Sequence, residues 1–257
     1  MASRNGLNPK IRGQKGRGFG RALAAPFGWG KGIYPTGSQY FTLPGMVGKS
    51  MPNSYSFEFW VKGTNYGTTQ RFIGIFGPSP DFEKIFDTSI TGYNTWNLQV
   101  YDTLGGGAPF ENEYNHYVFT ANNGVATVYY NGSRSYLGSY VNYNRVIGTF
   151  RVLAGNNVFP GPFFSSPVDE FRFYETAISD IEVTTNYNAG MGNNPSQTEF
   201  LRVWLQFEKF ESLDFSALQD GSDIRLGLRD ISGNQNHAMP SGMDTDPVSP
   251  NYILKPF

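Results

Sequence analysis

Three carboxylates near the middle of the chain have the residue types that acid–base chemistry requires. Asp169, Glu170 and Glu175 lie within the run VDEFRFYE. Glycoside hydrolysis uses two carboxyl groups that flank one bond, one to attack or activate water and one to donate a proton. On a regular strand, Asp169 and Glu170 would face opposite sides, and Glu175 would lie at the strand end. The spacing therefore predicts no catalytic residues.

Histidine and cysteine chemistry has few candidates. The chain contains two histidines, His116 and His237, and no cysteine. These residues do not make up a zinc ligand set or a histidine-activated nucleophile. Without disulfides, burial of apolar area must hold the fold together.

Aromatic side chains provide a candidate surface for binding sugars. Trp60 shares a strand face with Glu58 and Lys62, and a tyrosine-rich stretch that contains Tyr136, Tyr140 and Tyr143 is predicted to be a loop. Exposed rings of this kind can stack against a glycan. The alternative is that loops or a helix cover this face of the strand.

The first part of the chain is strongly basic. Residues 1–57 hold eight Lys and Arg residues and no acid, a net charge of +8, whereas residues 58–257 carry −9. Residues 1–32 have many glycines and no periodic apolar pattern, so we expect an extended arm that docks on an acidic protein surface. The expected contacts are Arg4, Lys10, Arg12, Lys15, Arg17, Phe19, Arg21, Phe27 and Trp29.

Other partners of the arm are less favoured. Lys and Arg would attract phosphates, but the arm carries no nucleic-acid-reading module, so we expect a protein partner. The chain begins without the apolar core of a signal peptide and has no apolar run long enough for a membrane helix. We therefore expect a soluble, unsecreted protein without membrane contacts.

Short apolar and aromatic runs separated by turn residues predict an all-β antiparallel sandwich. Asn131-Gly132 predicts a tight type I′ hairpin turn. One short helix is predicted where Ser179 and Glu182 form a capping box, with Gly190 at its left-handed C-terminal cap. The predicted strands are Gln39–Leu43, Tyr55–Lys62, Arg71–Phe76, Trp96–Tyr101, His116–Ala121, Val125–Tyr130, Thr149–Leu153, Val168–Tyr174, Phe200–Phe207 and Ile224–Arg229.

Four segments, in this order, resemble the laminin-G-like, or concanavalin A-like, jelly-roll family. They are YSFEFWVKG (55–63), NHYVFTANNGVATVYYNGS (115–133), FRVLAGN (150–156) and VDEFRFYETAISDIEV (168–183). The resemblance implies a two-sheet jelly-roll sandwich and a packed ring at His116. The compact Glu-x-Asp-x-x-Glu pattern of the family's β-glucanases is absent.

Two segments depart from the usual order of that family. The family's opening motifs are matched by VWLQFE (203–208) and RDISGNQNHA (229–238), near the C-terminus. A circular permutation explains this order, so we expect an arm at 1–32 and one sandwich at 33–257, completed by 200–257. A truncated second copy from about Phe200 is the alternative, and it would leave the first copy one strand short.

The resemblance also implies a candidate metal site. The family often places calcium beside its Asp-x-Ser-Gly-Asn loop, and oxygen ligands suffice for this ion. The candidate ligands of a structural calcium are Asp230, Asn234 and Asp169, and no other cofactor is expected. Alternatively, Asp230 caps a turn through its own backbone.

A basic arm, a jelly-roll body, no cysteine and no signal peptide are together typical of a virion component. We expect a non-catalytic bacteriophage capsid decoration, head-fibre or minor capsid protein, located in the virion after assembly in the host cytoplasm. Its expected partners are the major capsid protein or other virion proteins, in a homo-oligomer or a shell. The alternative is a lectin-like carbohydrate-binding module that adheres to surface glycans.

Overall fold

The computed structural model describes most of the chain outside the N-terminal arm and several loops. The described residues are 31–35, 38–62, 70–76, 83–88, 97–100, 102–105, 114–139, 146–154, 167–215, 224–243, 245 and 254–256.

Seventeen short strands and one α-helix make up the described part. The strands are β1 (Lys31–Ile33), β2 (Tyr40–Thr42), β3 (Ser54–Lys62), β4 (Gln70–Phe76), β5 (Glu83–Thr88), β6 (Asn97–Val100), β7 (Asp102–Gly105), β8 (Tyr114–Asn122), β9 (Val125–Tyr130), β10 (Ser133–Ser139), β11 (Thr149–Val152), β12 (Val168–Tyr174), β13 (Leu201–Leu205), β14 (Phe210–Asp214), β15 (Ile224–Leu228), β16 (Met239–Ser241) and β17 (Leu254–Pro256). The helix α1 spans Asp180–Tyr187, and short 3-10 turns occupy Pro44–Met46 and Asn188–Gly190.

Two antiparallel sheets form the sandwich. The first sheet has the order β10-β9-β8-β3-β12-β1-β17, with β13 also paired to β12. The second sheet has the order β16-β2-β11-β4-β5, and β14–β15 and β6–β7 form separate hairpins. The predicted all-β antiparallel sandwich with one short helix is confirmed.

Aromatic side chains fill the space between the two sheets. On β3, Tyr55, Phe57, Phe59 and Val61 point into the main core, as the alternation of a strand requires. Phe57 lies 6.1 Å from Phe150 of the second sheet, measured between ring centroids. We call this side of the first sheet its inner face and the opposite side its outer face.

The outer face of the first sheet carries a second, smaller apolar layer. Its members come from β8, β9, β12, β13 and the helical region: Val118, Tyr129, Tyr174, Ile178, Val183, Leu201 and Trp204. The helix α1 therefore has an apolar surface to pack against, although it is only eight residues long. Such a short helix needs tertiary packing because it is marginal in isolation.

The start of α1 follows the predicted capping box. The Ser179 hydroxyl accepts from the backbone N–H of Glu182, whose carboxylate accepts from the N–H of Ser179. The predicted C-terminal cap is displaced. Asn188, with φ 46°, takes the left-handed position directly after Tyr187, and Gly190 follows in the 3-10 turn.

Three C-terminal strands belong to the two main sheets. β13 pairs with β12, β16 pairs with β2, and β17 pairs with β1. The N-terminal strand β1 begins at Lys31, within the segment predicted as an arm, and also pairs with β12. Residues 1–30 therefore precede a strand that is already part of the first sheet.

The hairpin turn between β9 and β10 contacts the helical region. Asn131 and Gly132 both have positive φ, as the predicted type I′ turn requires. A Cβ added at Gly132 would lie 2.5 Å from the ring of Tyr187, and the hydroxyl of Thr184 donates to the Gly132 carbonyl. Glycine therefore permits both the turn and the close approach of α1.

Candidate functional site

Trp60, the predicted glycan contact, is fully buried. Its side chain is 0% exposed on the outer face, where its ring lies 4.8 Å from His116 and 5.8 Å from Tyr187 at the end of α1. The prediction of an exposed Trp60 is wrong because the helical region covers this face. The packed ring expected at His116 is confirmed.

Several other predicted contacts fall outside the described structure. Tyr140 and Tyr143 lie outside the described residues, as do all the predicted contacts of the arm. Tyr136 belongs to the edge strand β10 rather than to a loop.

A buried carboxylate, Glu58, lies at the centre of the outer face. Its two oxygens accept hydrogen bonds from four side chains on three other elements, β8, β12 and α1. The donors are His116 Nε2 at 2.8 Å, Arg172 Nη1 at 3.0 Å, Tyr174 Oη at 2.7 Å and Asn186 Nδ2 at 2.9 Å. We call these five side chains the Glu58 network.

The neighbours of Glu58 stabilise its ionised form. Burial by itself would raise the pKa of Glu58, but the Arg172 guanidinium and the bonds from His116 and Tyr174 lower it to about 2. An ionised carboxylate offers only acceptors, so His116 must donate through Nε2. With every oxygen engaged and 0% exposure, Glu58 has no open side for a substrate.

Asp169 and Glu170 do not face opposite sides of the sheet as predicted. Glu170 takes a left-handed conformation, φ 55°, where the pairing of β12 with β3 shifts register. This bulge brings Glu170 to Arg172 at 3.0 Å and to the indole N–H of Trp204, both on the outer face. Asp169 pairs with Trp60 across the strands and lies on the same face.

Neither carboxylate is accessible for catalysis. Asp169 and Glu170 are buried, and burial raises the pKa of both, with the charge of Glu170 raising that of Asp169 further. Glu175, beyond the strand end, forms an ion pair with Arg202. The three carboxylates that suggested acid–base chemistry therefore have structural partners in place of a substrate.

Asp230 caps the turn that follows β15. Its carboxylate accepts from the backbone N–H groups of Trp204, Ser232 and Asn236 and from the Ser232 hydroxyl, at 2.8–3.0 Å. These bonds confirm the capping role and tie the loop to β13.

The other predicted calcium ligands are also engaged. Asn234 donates to the Leu201 carbonyl, while Asp169 lies on β12 and accepts from the Glu170 amide. His237 accepts from the Asp230 amide through Nδ1. Within the described residues, no group of three or more His, Asp or Glu side chains is arranged to hold a metal ion.

An open groove of about 620 Å³ lies on the outer face between β9 and the first turn of α1. We call it the β9–α1 groove. It is lined by Thr120, Asn122, Val125, Thr127, Tyr129, Arg134, Ala177, Ile178, Ser179, Asp180 and Ile181.

Three polar side chains meet at one side of this groove. Asp180 accepts from the Tyr129 hydroxyl through Oδ1 and from Arg134 Nη2 through Oδ2, the latter at 2.6 Å. Bonds from Arg134 and Tyr129 lower the pKa of Asp180, while burial and the bond to Asp180 raise the pKa of Tyr129 to about 12. Asp180 is therefore a carboxylate and Tyr129 a hydroxyl donor at neutral pH.

The sheet side of the groove offers unused hydroxyl groups. Thr120 and Thr127 are 4% and 8% exposed, and their hydroxyls make no hydrogen bond within the described part of the chain. Neither hydroxyl is among the fully buried unsatisfied atoms, and both residues line the groove. Val125 and Ile181 add aliphatic surface that is 47% and 79% exposed. The groove thus combines hydroxyls, one ion pair and apolar flanks.

Sequence reasoning missed this groove. Thr120 and Thr127 look like ordinary outward residues of two hairpin strands, and Asp180 looks like a helix-start residue. The one available signal was the alternation that places Thr120, Thr127 and Tyr129 on the outer face together. Their proximity to Asp180 follows only from the docking of α1.

Residues 35–184 match the family model Laminin_G_3, described as the concanavalin A-like lectin/glucanases superfamily. The match covers more than half of the chain. The chain belongs to this superfamily. The lectin/glucanase fold of the two sheets agrees with the matched range, while β13 to β17 lie beyond it.

Solved structures share the lectin/glucanase fold at low identity. A "putative carbohydrate binding protein" from Bacteroides ovatus is 15% identical, with a TM-score of 0.60, and the match covers 82% of this chain and 58% of that one. A heptameric SAP-like pentraxin from Limulus polyphemus is 16% identical, with a TM-score of 0.50, over 61% of this chain and 81% of the pentraxin. These likenesses show the fold alone.

No curated protein matches the sequence significantly. Among the described residues, no helix is long and apolar enough to cross a membrane.

Replacing Glu58 with glutamine should remove a pH-dependent part of the stability. Because the folded-state pKa of Glu58 is about 2, below its ordinary value of 4.5, its charge adds stability above pH 4.5 that is lost as the pH falls towards 2. We expect Glu58→Gln to lower the free energy of unfolding by roughly a few kcal/mol at pH 7 and by less at pH 3. Urea unfolding at both pH values measures this difference.

The exposed Glu199→Gln variant is the control for that measurement. It changes the same chemical group outside the Glu58 network and should leave the unfolding curves nearly unchanged. An unfolding difference for Glu58→Gln that is the same at pH 7 and pH 3 would contradict the assigned charge state.

Replacing Asp230 with alanine should destabilise the protein without any involvement of calcium. Three backbone N–H groups lose their acceptor, so we expect a cost of about 1–3 kcal/mol in the free energy of unfolding. The loss should be equal in calcium and in a chelator. A wild-type melting temperature that rises with added calcium, and an Asp230→Ala variant that does not respond, would instead support the calcium site.

Proposed function

We propose that this domain is a non-catalytic carbohydrate-recognition module that binds a saccharide in the β9–α1 groove. The observation that carries the proposal is the lining of that groove. Unused hydroxyls of Thr120 and Thr127 face an Asp180–Arg134 pair across an open space of about 620 Å³. Sugars present many hydroxyls and some apolar C–H surface, and a groove with both characters is complementary to them.

Membership of the lectin/glucanases superfamily supports a carbohydrate ligand. The Bacteroides ovatus protein, named for carbohydrate binding, shares the fold over 82% of this chain. This chain spans 58% of that protein's length. The binding of a glycan by this chain therefore rests on its own groove, with the family as support.

The burial of the carboxylates supports a non-catalytic role. Hydrolysis of a glycosidic bond needs two carboxyl groups beside the same bond. Glu58, Asp169 and Glu170 are all buried and engaged with neighbouring donors. Among the described residues that line the groove, Asp180 is the one carboxylate.

A second proposal, attachment to a virion, rests on the charge of the N-terminal segment. Residues 1–57 carry +8 without a single acid, and the rest of the chain carries −9. A basic, glycine-rich segment ahead of a sandwich could anchor the domain to an acidic capsid surface. The two proposals are compatible, since an anchored domain can present its groove to a glycan.

Removing a hydroxyl from the groove should weaken saccharide binding. Thr127→Val keeps the shape and strand preference of the residue but deletes one hydrogen-bonding group. We expect about a 2- to 10-fold weaker Kd, measured by titration calorimetry with a saccharide selected on a glycan array. The matched control is Thr149→Val on β11 of the second sheet. Equal effects of the two variants, or no array binding at all, would contradict the proposal.

Deleting residues 2–30 should abolish attachment to particles while leaving β1 intact. The deletion removes six of the eight basic residues in the first 57 positions and stops before Lys31. We expect the full chain, but not the shortened one, to sediment with particles from the source organism on a density gradient. Equal sedimentation of both chains, or the absence of both from particles, would overturn virion attachment.

A further inference from the structure

We propose that the β9–α1 groove selects neutral saccharides with adjacent hydroxyls and rejects uronic, sialylated and sulfated ones. The inference rests on the proposed function and deepens it by naming the ligand class. It comes from the charges of the groove lining and from the hydrogen-bonding capacity that Asp180 and Arg134 retain.

The described residues that line the groove carry no net charge to attract an anion. Among its lining residues, Arg134 and Asp180 are the charged side chains, and their 2.6 Å contact pairs them with each other. An anionic ligand that reached the remaining donors of the guanidinium would lie close to Asp180. It would bring a second negative charge beside that carboxylate, and like charges placed side by side repel each other.

Asp180 cannot move away to admit such a ligand. It is the first residue of α1, directly after the Ser179 cap, and its carbonyl accepts from the Thr184 hydroxyl at 2.8 Å. Its carboxylate is also held from the sheet side by Tyr129 and Arg134. With its backbone fixed in the helix and its carboxylate bonded to two side chains, Asp180 keeps its position in the groove when a ligand arrives.

The remaining bonding capacity matches a pair of hydroxyl donors. A carboxylate has about four lone-pair sites, and Tyr129 and Arg134 each occupy one, on different oxygens. Each oxygen therefore keeps an acceptor site, and the Asp180 side chain is 60% exposed. Adjacent sugar hydroxyls can donate to both oxygens, whereas an ionised carboxylate or sulfate group can only accept.

Arg134 and the threonines complete the match with hydroxyl groups. The guanidinium has five N–H donors, and Asp180 engages Nη2, which leaves other donors for sugar oxygens. A hydroxyl can donate to Asp180 and accept from Arg134 at once, and the free hydroxyls of Thr120 and Thr127 can do either. Tyr129, an aromatic residue in the lining, is only 4% exposed, so hydrogen bonds carry more of the recognition than ring stacking.

The test compares matched neutral and acidic ligands. Lactose, 3′-sialyllactose and 3′-sulfolactose form one set, and glucose and glucuronic acid oligomers form another. In any set that binds, we expect the Kd of the neutral ligand to be at least about tenfold lower than the Kd of its acidic counterpart. Calorimetry with the full chain measures both values. Acidic ligands that bind as tightly as neutral ones would overturn the inference.

A variant assigns the selectivity to Asp180. Asp180→Asn keeps the size of the side chain but replaces one acceptor oxygen with a donor, so neutral binding should weaken several-fold and the preference against acidic ligands should shrink. Glu199→Gln, an exposed carboxylate outside the groove, should change neither value. Unchanged selectivity in Asp180→Asn, with an unfolding midpoint like that of the wild type, would also overturn the inference.

The outcomes separate this inference from the proposed function. If no saccharide binds, or if Thr127→Val has no effect on binding, then the carbohydrate-recognition proposal fails and the selectivity fails with it. If saccharides bind and Thr127→Val weakens their binding, but acidic saccharides bind as tightly as neutral ones, then the groove is a glycan site without the proposed selectivity.

Discussion

The buried carboxylate of Glu58 is the constraint on which the outer face of the first sheet depends. A charge without solvent is costly unless neighbouring donors satisfy it, and here Arg172, His116, Tyr174 and Asn186 do so. Those donors lie on β8, β12 and α1, so one side chain of β3 connects four elements. The hydrogen bond from Asn186 thus links α1 to this charge on the sheet, in addition to any stability the charge contributes.

The docking of α1 in turn creates the functional surface. The helix covers Trp60 and the second apolar layer, which removes the aromatic residue that best suited a sugar platform. At the same time its first turn brings Asp180 beside Tyr129 and Arg134, on strands β9 and β10. The covered half of the outer face holds the charged network, and the uncovered half holds the β9–α1 groove.

Local patterns predicted much of the fold correctly. The alternation in β3 and β12, the type I′ turn at Asn131-Gly132 and the capping box at Ser179 depend on short-range sterics and hydrogen bonds that a sequence displays directly. The sequence did not predict seven of the described strands: β1, β5, β7, β10, β14, β16 and β17. Three of them, β1, β16 and β17, are only three residues long, and their partners lie far away in the chain. The bulge at Glu170 was also missed, because an ordinary glutamate rarely adopts positive φ and nothing local marks it.

The sequence by itself determined the antiparallel sandwich, the superfamily and the opposite charges of the two parts of the chain. Those properties follow from composition, periodicity and motif order, which need no knowledge of long-range contacts. Only the tertiary structure decided that Trp60 is buried, that Asp230 caps a turn, and that Asp180 faces Thr127 across a groove. Each of these depends on which elements pack over the outer face, and that packing is set by contacts between residues far apart in the chain.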